Sequence, residues 1–196
     1  MIIQILFLLI TYLISSIPFG LFLGKLFANI DIREHGSNNI GATNVSRIIG
    51  KKLGLATLIL DGLKGGIMVM IARFIFHDFI YLEILLILTA AIAVIGHIFP
   101  IYINFKGGKG VATSIATIIA LDPYIGAAIC LIWIIAFILF RISAISSISA
   151  IFSSLIISLF YNTISHNIFY FLLFILILYR HKDNIKRLIQ GSEKKL

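Results

Sequence analysis

Gly96-His97-Ile98-Phe99-Pro100-Ile101-Tyr102-Ile103-Asn104-Phe105-Lys106-Gly107-Gly108-Lys109-Gly110-Val111-Ala112-Thr113 is a stretch of glycines and lysines wedged between two strongly apolar runs. Such a turn, where the flanks offer no polar face, points to an anion held at a membrane surface. Glycines let successive backbone N–H groups turn inward as a nest, lysines add point charge, and a helix opening near Val111 would aim its positive end at the same spot. The turn alone does not separate a substrate from a lipid headgroup.

The chain of 196 residues is 60% hydrophobic and 12% charged, with a mean hydropathy of +1.10. A soluble domain of this length cannot hide that much apolar surface, so the bilayer must be its solvent. The net charge of +8 does not indicate nucleic acid, because the bases are interspersed among membrane-length runs rather than gathered on one soluble face. Anionic membrane lipids and phosphorylated substrates are the expected partners. Cys130 lies inside an apolar run, and one cysteine allows no disulfide within the chain.

No charge occurs from Met1 to Gly24, and the first base, Lys25, follows the apolar run. A cleaved secretory signal has the opposite order, so a retained first span with its N-terminus outside is expected. Its Ser15-Ser16-Ile17-Pro18-Phe19-Gly20 reads either as a proline–glycine kink or as a shaped substrate wall. Residues 25–52 form a polar loop with Lys25, Arg33, Arg47, Lys51 and Lys52, cytoplasmic by the positive-inside rule. A second span is expected over 53–76. Its Asp61 and Lys64, three residues apart, share a face and can neutralise each other. His77 and Asp78 mark the outer side, and a third span over 79–103 returns inward.

Both Lys109 and Arg141 are basic, so the chain crosses an even number of times between them, turning at Asp122-Pro123. The limb 111–121 covers only roughly 17 Å against a hydrocarbon core of about 30 Å, so it is a tilted short helix or part of a re-entrant hairpin. A last hairpin is expected over 144–161 and 166–179, followed by a basic tail from Arg180. All Lys and Arg except Lys64 and Arg73 then fall on the inner side. The expected fold is an all-α integral membrane protein of about seven transmembrane helices. The N-terminus is outside, the C-terminus is cytoplasmic, and short motif loops face the cytoplasm. Five crossings are the alternative. With no internal repeat, residues 1–196 read as a single multi-pass domain.

Four polar segments lie on that inner side. Gly36-Ser37-Asn38-Asn39-Ile40-Gly41-Ala42-Thr43-Asn44-Val45-Ser46-Arg47 is either a solvated turn-rich loop or a phosphate holder. Ser37, the amides Asn39 and Asn44, and the Arg47 fork are suitable equipment for the second role. Lys106, Gly107, Gly108, Lys109 and Gly110 are not a Walker A loop, since Gly110 follows where Ser or Thr should coordinate magnesium. Arg141-Ile142-Ser143-Ala144-Ile145-Ser146-Ser147 places a charge beside three hydroxyls at a span entrance, which serve helix packing or, through Ser143, substrate. The tail from Arg180 to Glu193 reads as a basic amphipathic segment on anionic lipid. Within it His181 and Asn184 share a helical face. His97 is either a satisfied bundle histidine or a further polar contact.

In order, these segments resemble the bacterial acyl-phosphate:glycerol-3-phosphate acyltransferases of the PlsY type. The resemblance is carried by Ser16-Ile17-Pro18-Phe19-Gly20, by Asp31-Ile32-Arg33 through Gly41-Ala42-Thr43-Asn44 to Arg47, and by Asp61-Gly62-Leu63-Lys64-Gly65. It continues through Gly96-His97, Pro100 and Phe105 to Gly110, and then Arg180-His181, Asn184-Ile185, Arg187-Leu188 and Gly191 to Glu193. It implies transfer of a fatty acyl group from acyl phosphate to the sn-1 hydroxyl of glycerol 3-phosphate, giving lysophosphatidic acid and phosphate. No metal or cofactor is implied, the membrane is the bacterial inner one, and a soluble enzyme supplies the acyl phosphate. Ser37, Arg47, His181 and Asn184 match catalytic residues, and 106–110 the glycerol-phosphate loop. Asp61, Lys64, His97, Arg141 and Glu193 take supporting places.

Acyl phosphate is a mixed anhydride with a good leaving group, so a direct attack suffices. The proton goes to His181 or to a substrate phosphate oxygen. Asn38 stands where the resemblance gives glycine, which matters if that position needs a positive φ, and Asn104 replaces a glycine before the loop. The competing reading is a membrane transporter or binding protein for a phosphorylated small molecule. It would use intramembrane Asp61 and Lys64, yet it predicts polar residues at the midplane and outer side as well. A soluble-type acyltransferase would need a His-x4-Asp motif, and no histidine here has aspartate five residues on.

Overall fold

The computed structural model describes residues 1–160 and 162–195. It consists of two compact units, Met1–Thr117 and Ile118–Leu196. Among the described residues all regular structure is helical. The α-helices are α1 (Ile2–Ser15), α2 (Phe19–Ala28), α3 (Ala42–Ile48), α4 (Lys51–Ile75), α5 (Leu82–Ile98), α6 (Val111–Leu121), α7 (Pro123–Phe140), α8 (Ser143–Ser158), α9 (Ile164–Arg180) and α10 (Lys182–Ile189). Short 3-10 turns occupy Ile32–Glu34 and Ile101–Ile103.

Among the described residues four stretches are long and apolar enough to cross a bilayer: Ile2–Ala28, Lys51–Ile75, Leu82–Ile103 and Pro123–Phe140. Counting α9 with α10, bent by 60°, as one broken span makes five. The seven expected crossings are therefore matched by four or five full-length candidates. The shortfall is a matter of length. With 11 residues in α6 and 16 in α8, both fall below the roughly 20 that a perpendicular crossing needs. Tyr161, where the expected limb of the last hairpin ends, lies outside the described residues.

In the first unit the apolar run breaks where Pro18 removes a backbone donor. The break is put to use: the carbonyl of Ile17 accepts from Lys64 Nζ at 2.7 Å. A Cβ on Gly20 would overlap the Ile40 carbonyl oxygen, so this position admits close passage of the following loop. Gly62, Gly65 and Gly66 of α4 face Ala112, Thr113, Ala116 and Thr117 of α6. Small residues at such a contact let backbones approach without a hydrophobic driving force between helices. The polar loop 29–50 is not merely solvated. Ile32, Ile40 and Val45 point inward and form a core with Leu21, against which Ile49, Leu53 and Ile103 pack.

The second unit opens with a well-made helix start. Asp122 Oδ1 accepts from the Ile125 N–H at 3.1 Å and Pro123 occupies the first turn, as the Asp-Pro pair predicts. Asp122 Oδ2 also accepts from Asn162 Nδ2 at 3.3 Å, tying two turns together. Helix α8 buries Ser146, Ser147, Ser154 and Ser158. Each hydroxyl bonds a carbonyl of its own helix or, for Ser146, of the N-cap residue Ile142, so these serines supply a narrow packing face. The exposed side of α7, by contrast, is apolar, including Leu131, Ile134, Ile138 and Leu139. That is the pattern of a lipid-facing helix.

Candidate active site

In loop 29–50 the organising side chain is Asn44, fully buried at 1% exposure. Its Oδ1 accepts from the Ser37 N–H at 2.9 Å. Its Nδ2 faces three carbonyls, of Ile32, His35 and Asn39, at 3.1, 3.0 and 2.9 Å. Asn44 is expected at the substrate; here its amide is engaged by the loop's own backbone. By holding the Ser37 backbone it presents the exposed serine side chain outward. Asn39 does similar local work, its Oδ1 accepting from the Gly41 N–H at 2.9 Å, an Asx turn. Arg47, half-buried, projects from the short helix α3 that Asn44 anchors. Asn38 has φ +56°, so the position does need the left-handed region that asparagine tolerates.

Asp31 and Arg33 brace the start of this loop. The guanidinium donates twice, Nε to Oδ1 at 2.9 Å and Nη2 to Oδ2 at 2.6 Å. Lys25 Nζ lies 3.8 Å from the same carboxylate. The Arg33 hydrogen bonds hold the Asp31 carboxyl down to about 2, although burial pushes it the other way. The pairing raises the Arg33 guanidinium in turn.

The glycine-lysine turn differs from the expected nest. The Gly107 N–H donates to the Ile98 carbonyl at 3.1 Å and the Gly108 N–H to the His97 carbonyl at 3.2 Å. Both close the end of α5 instead of pointing at an anion. Glycine is needed there for space. A Cβ on Gly107 would overlap the His97 carbonyl oxygen, and one on Gly108 the His97 ring at Nε2. The turn begins with two residues in the left-handed region, Asn104 at φ +52° and Phe105 at φ +60°. The turn also carries the exposed Lys106 and half-buried Lys109, beside the start of α6 after Gly110. Asp61 and Lys64 form the expected buried pair, Oδ1 to Nζ 2.9 Å. His97, also buried, places Nδ1 3.5 Å from that same oxygen.

In the second unit His181 sits at the bend between α9 and α10, 2% exposed. Its Nδ1 is 2.8 Å from the Ile177 carbonyl oxygen. A carbonyl can only accept, so the proton is on Nδ1 and Nε2 is the nitrogen able to take up another. Asn184 donates from Nδ2 to Glu193 Oε1 at 2.7 Å, and Arg187 Nε donates to Glu193 Oε2 at 2.6 Å. The chain returns to make these bonds at Gly191, φ +66°. There Gly191 N–H bonds the Leu188 carbonyl and Ser192 N–H that of Arg187, a Schellman turn. Arg187 was missed as a site-supporting residue. Its only sequence signal was its place among the residues that carry the resemblance, since a separation of six from Glu193 is not a helical spacing.

Among the entrance serines, Ser147 Oγ donates to the Ser143 carbonyl at 2.7 Å and accepts from Trp133 Nε1 at 3.2 Å. Ser146 Oγ bonds the Ile142 carbonyl at 3.1 Å. Ser143, expected at the substrate, is the first residue of α8. Arg141 is the exposed left-handed cap of α7, φ +57°. The expected residues thus fall into two sets: Ser37, Asn39, Asn44, Arg47 and 106–110 in one unit, Ser143, His181, Asn184 and Glu193 in the other.

A family model described as glycerol-3-phosphate acyltransferase matches residues 5–191. The chain belongs to the glycerol-3-phosphate acyltransferase family. Family members include a glycerol-3-phosphate acyltransferase of Endomicrobium trichonymphae, 46% identical with 100% of this chain and 97% of that protein aligned. Another, from Macrococcus caseolyticus, is 43% identical over 97% of this chain and 96% of its own. The crystal structure of PlsY, an integral membrane glycerol 3-phosphate acyltransferase, superposes in its glycerol 3-phosphate form with a TM-score of 0.91. It is 34% identical, and the match covers 98% of this chain and 95% of that one. The lysophosphatidic acid form gives a TM-score of 0.88 with the same coverage. This acyltransferase is therefore an integral membrane protein with the PlsY fold, and the transporter alternative falls.

Proposed function

We propose that this chain transfers a fatty acyl group from acyl phosphate to the sn-1 hydroxyl of glycerol 3-phosphate, giving lysophosphatidic acid and inorganic phosphate. The reading is carried by the near-complete structural match to the glycerol 3-phosphate form of PlsY. In it residues 1–196 act as one catalytic domain, supported by a family match that runs across the division between the two units. The chain crosses the bacterial cytoplasmic membrane seven times, α6 and α8 being short tilted limbs, with its N-terminus outside. The one-sided distribution of bases supports a site facing the cytoplasm.

The chemistry follows from the substrates and the residues present. The sn-1 oxygen attacks the acyl carbonyl carbon, a tetrahedral oxyanion forms, and its collapse breaks the bond to the phosphate oxygen. Phosphate departs with little need for acid assistance. What the protein supplies is orientation and positive charge. Arg47 and the lysines of the 106–110 turn hold phosphate, and Ser37 donates from a backbone fixed by Asn44. Ser143 meets substrate at the start of α8, and Asn184 is oriented by Glu193. The hydroxyl proton has two acceptors of suitable kind, His181 Nε2 and an oxygen of the departing phosphate. The acyl chain stays in lipid, and a separate soluble enzyme provides the acyl phosphate.

The test is product formation by purified protein in lipid with glycerol 3-phosphate and one donor at a time: acyl phosphate, acyl-CoA or acyl-carrier protein. Lysophosphatidic acid from acyl phosphate alone is expected. Product from thioesters alone would overturn the donor, and none from any donor, with folded protein, would overturn the reaction.

A further inference from the structure

We infer that Asp61, Lys64 and His97 form a positioning network that sets the shape of residues 106–110 and thereby their affinity for the phosphate of glycerol 3-phosphate. This rests on the reading of that loop as the glycerol-phosphate site.

The network is built from separate pieces of the first unit. Asp61 Oδ1 and Lys64 Nζ are 2.9 Å apart, both side chains 2% exposed. Lys64 Nζ also donates to the Ile17 carbonyl at 2.7 Å, freed by the helix break, and lies 5.7 Å from the centre of the Phe19 ring. His97 Nδ1 approaches the same Asp61 oxygen at 3.5 Å. On its far side the His97 ring occupies the space that a Cβ on Gly108 would fill. The backbone carbonyl of Asp61 accepts from Thr113 Oγ1 at 2.8 Å, in the first turn of α6. Asp61 thus reaches both ends of the loop: His97 before it through the carboxylate, Thr113 after it through the main chain.

An ion pair buried in a membrane protein is not an efficient source of stability, because packed apolar residues of similar volume do as well without desolvating two charges. Its retention at this place is better explained by geometry. The N–H groups of Gly107 and Gly108 are turned into α5, so the loop cannot adjust to an anion by reorienting those peptides. The directions of Lys106 and Lys109 are then determined by where the loop is braced, and the brace is the His97 ring backed by Asp61.

Steady-state kinetics of the full chain in lipid, with glycerol 3-phosphate and acyl phosphate varied separately, test this together with the unfolding temperature. Asp61→Asn is expected to raise KM for glycerol 3-phosphate about tenfold, a size typical of coupling between contacting groups. The KM for acyl phosphate should stay within about twofold, since uniform binding of only one substrate is weakened. If Asp61→Asn does not fold because Lys64 is left unpaired, Asp61→Asn with Lys64→Met removes both charges and is expected to show the same selective rise. Gly108→Ala should raise the same KM, and adding His97→Ala should recover part of the loss, because the ring that the new methyl meets is gone.

Equal changes in both KM values, or purely additive effects of Gly108→Ala and His97→Ala, would overturn the network. Lys109→Ala separates the two levels. If it raises KM for glycerol 3-phosphate while both Asp61 variants leave it unchanged, only the network fails. If neither Lys106→Ala nor Lys109→Ala affects it, the loop assignment fails and the inference with it.

Discussion

Asn184 Nδ2 donates to Glu193 Oε1 at 2.7 Å, so the orientation of an amide on α10 is decided by a carboxylate that lies beyond the end of the helix. Glu193→Ala removes the acceptor of both Asn184 and Arg187. Leaving one buried donor without a partner costs about 1–3 kcal/mol. Turnover should fall tenfold or so by the same measure, whereas Glu193→Gln, which keeps one acceptor oxygen, should fall less. Equal activity of the alanine variant and the parent would remove Glu193 from the site.

Asn44→Ala and Asn44→Asp make a second pair. Alanine leaves the Ser37 N–H and three carbonyls without the amide. Aspartate restores the acceptor for Ser37 but sets a charge against the carbonyls of Ile32, His35 and Asn39. Both should therefore abolish most activity and speed proteolysis within 36–48, at a cost of about 1–3 kcal/mol per lost buried partner. A direct substrate contact would instead raise one KM and leave proteolysis unchanged.

Asp31 predicts an acid-side effect of definite sign. Its carboxyl, held down to about 2 in the folded chain, has an ordinary value of about 3.9 when unfolded. The stabilisation is fully present above the unfolded value and is lost as pH falls through the folded one. The difference in unfolding temperature between the parent and Asp31→Asn should be constant above about pH 5 and shrink toward pH 2. A difference that does not vary over that range would show that the Arg33 pairing is not its source.

His181→Gln tests the destination of the proton. If Nε2 takes it, kcat should drop by about 10²–10⁴ and the acidic limb of the pH–rate profile should disappear. Survival of that limb with a small change in kcat assigns the proton to the substrate phosphate.

Arg47→Lys keeps the charge and discards the fork. Bidentate recognition of phosphate should suffer, raising KM for glycerol 3-phosphate about tenfold, the loss expected for one charge-assisted hydrogen bond. A lysine variant with parental kinetics would mean that Arg47 acts only as a point charge.

The sequence by itself determined the solvent of this protein, its all-helical class and the outlines of its longest spans. Hydropathy acts locally along the chain, because each run must meet lipid or water on its own account. The limits of α6 and the Asp122–Pro123 turn could therefore be read directly, as could the mutual neutralisation of Asp61 and Lys64, which needs only one helical turn. The substitution of asparagine for glycine at Asn38 raised the question of a positive φ, and the structure answered it with +56°. Tertiary structure decided what each polar group faces. Asn44 turns to its own loop, Gly107 and Gly108 turn to α5, Ser146 and Ser147 turn to α8, and Glu193 folds back onto Asn184. Each hydrogen bond has one direction, and which partner claims it depends on a carbonyl or side chain brought near by the packing of other helices. The opening turn is accordingly a braced platform carrying lysines, a distinction that no local pattern of glycine and lysine could express.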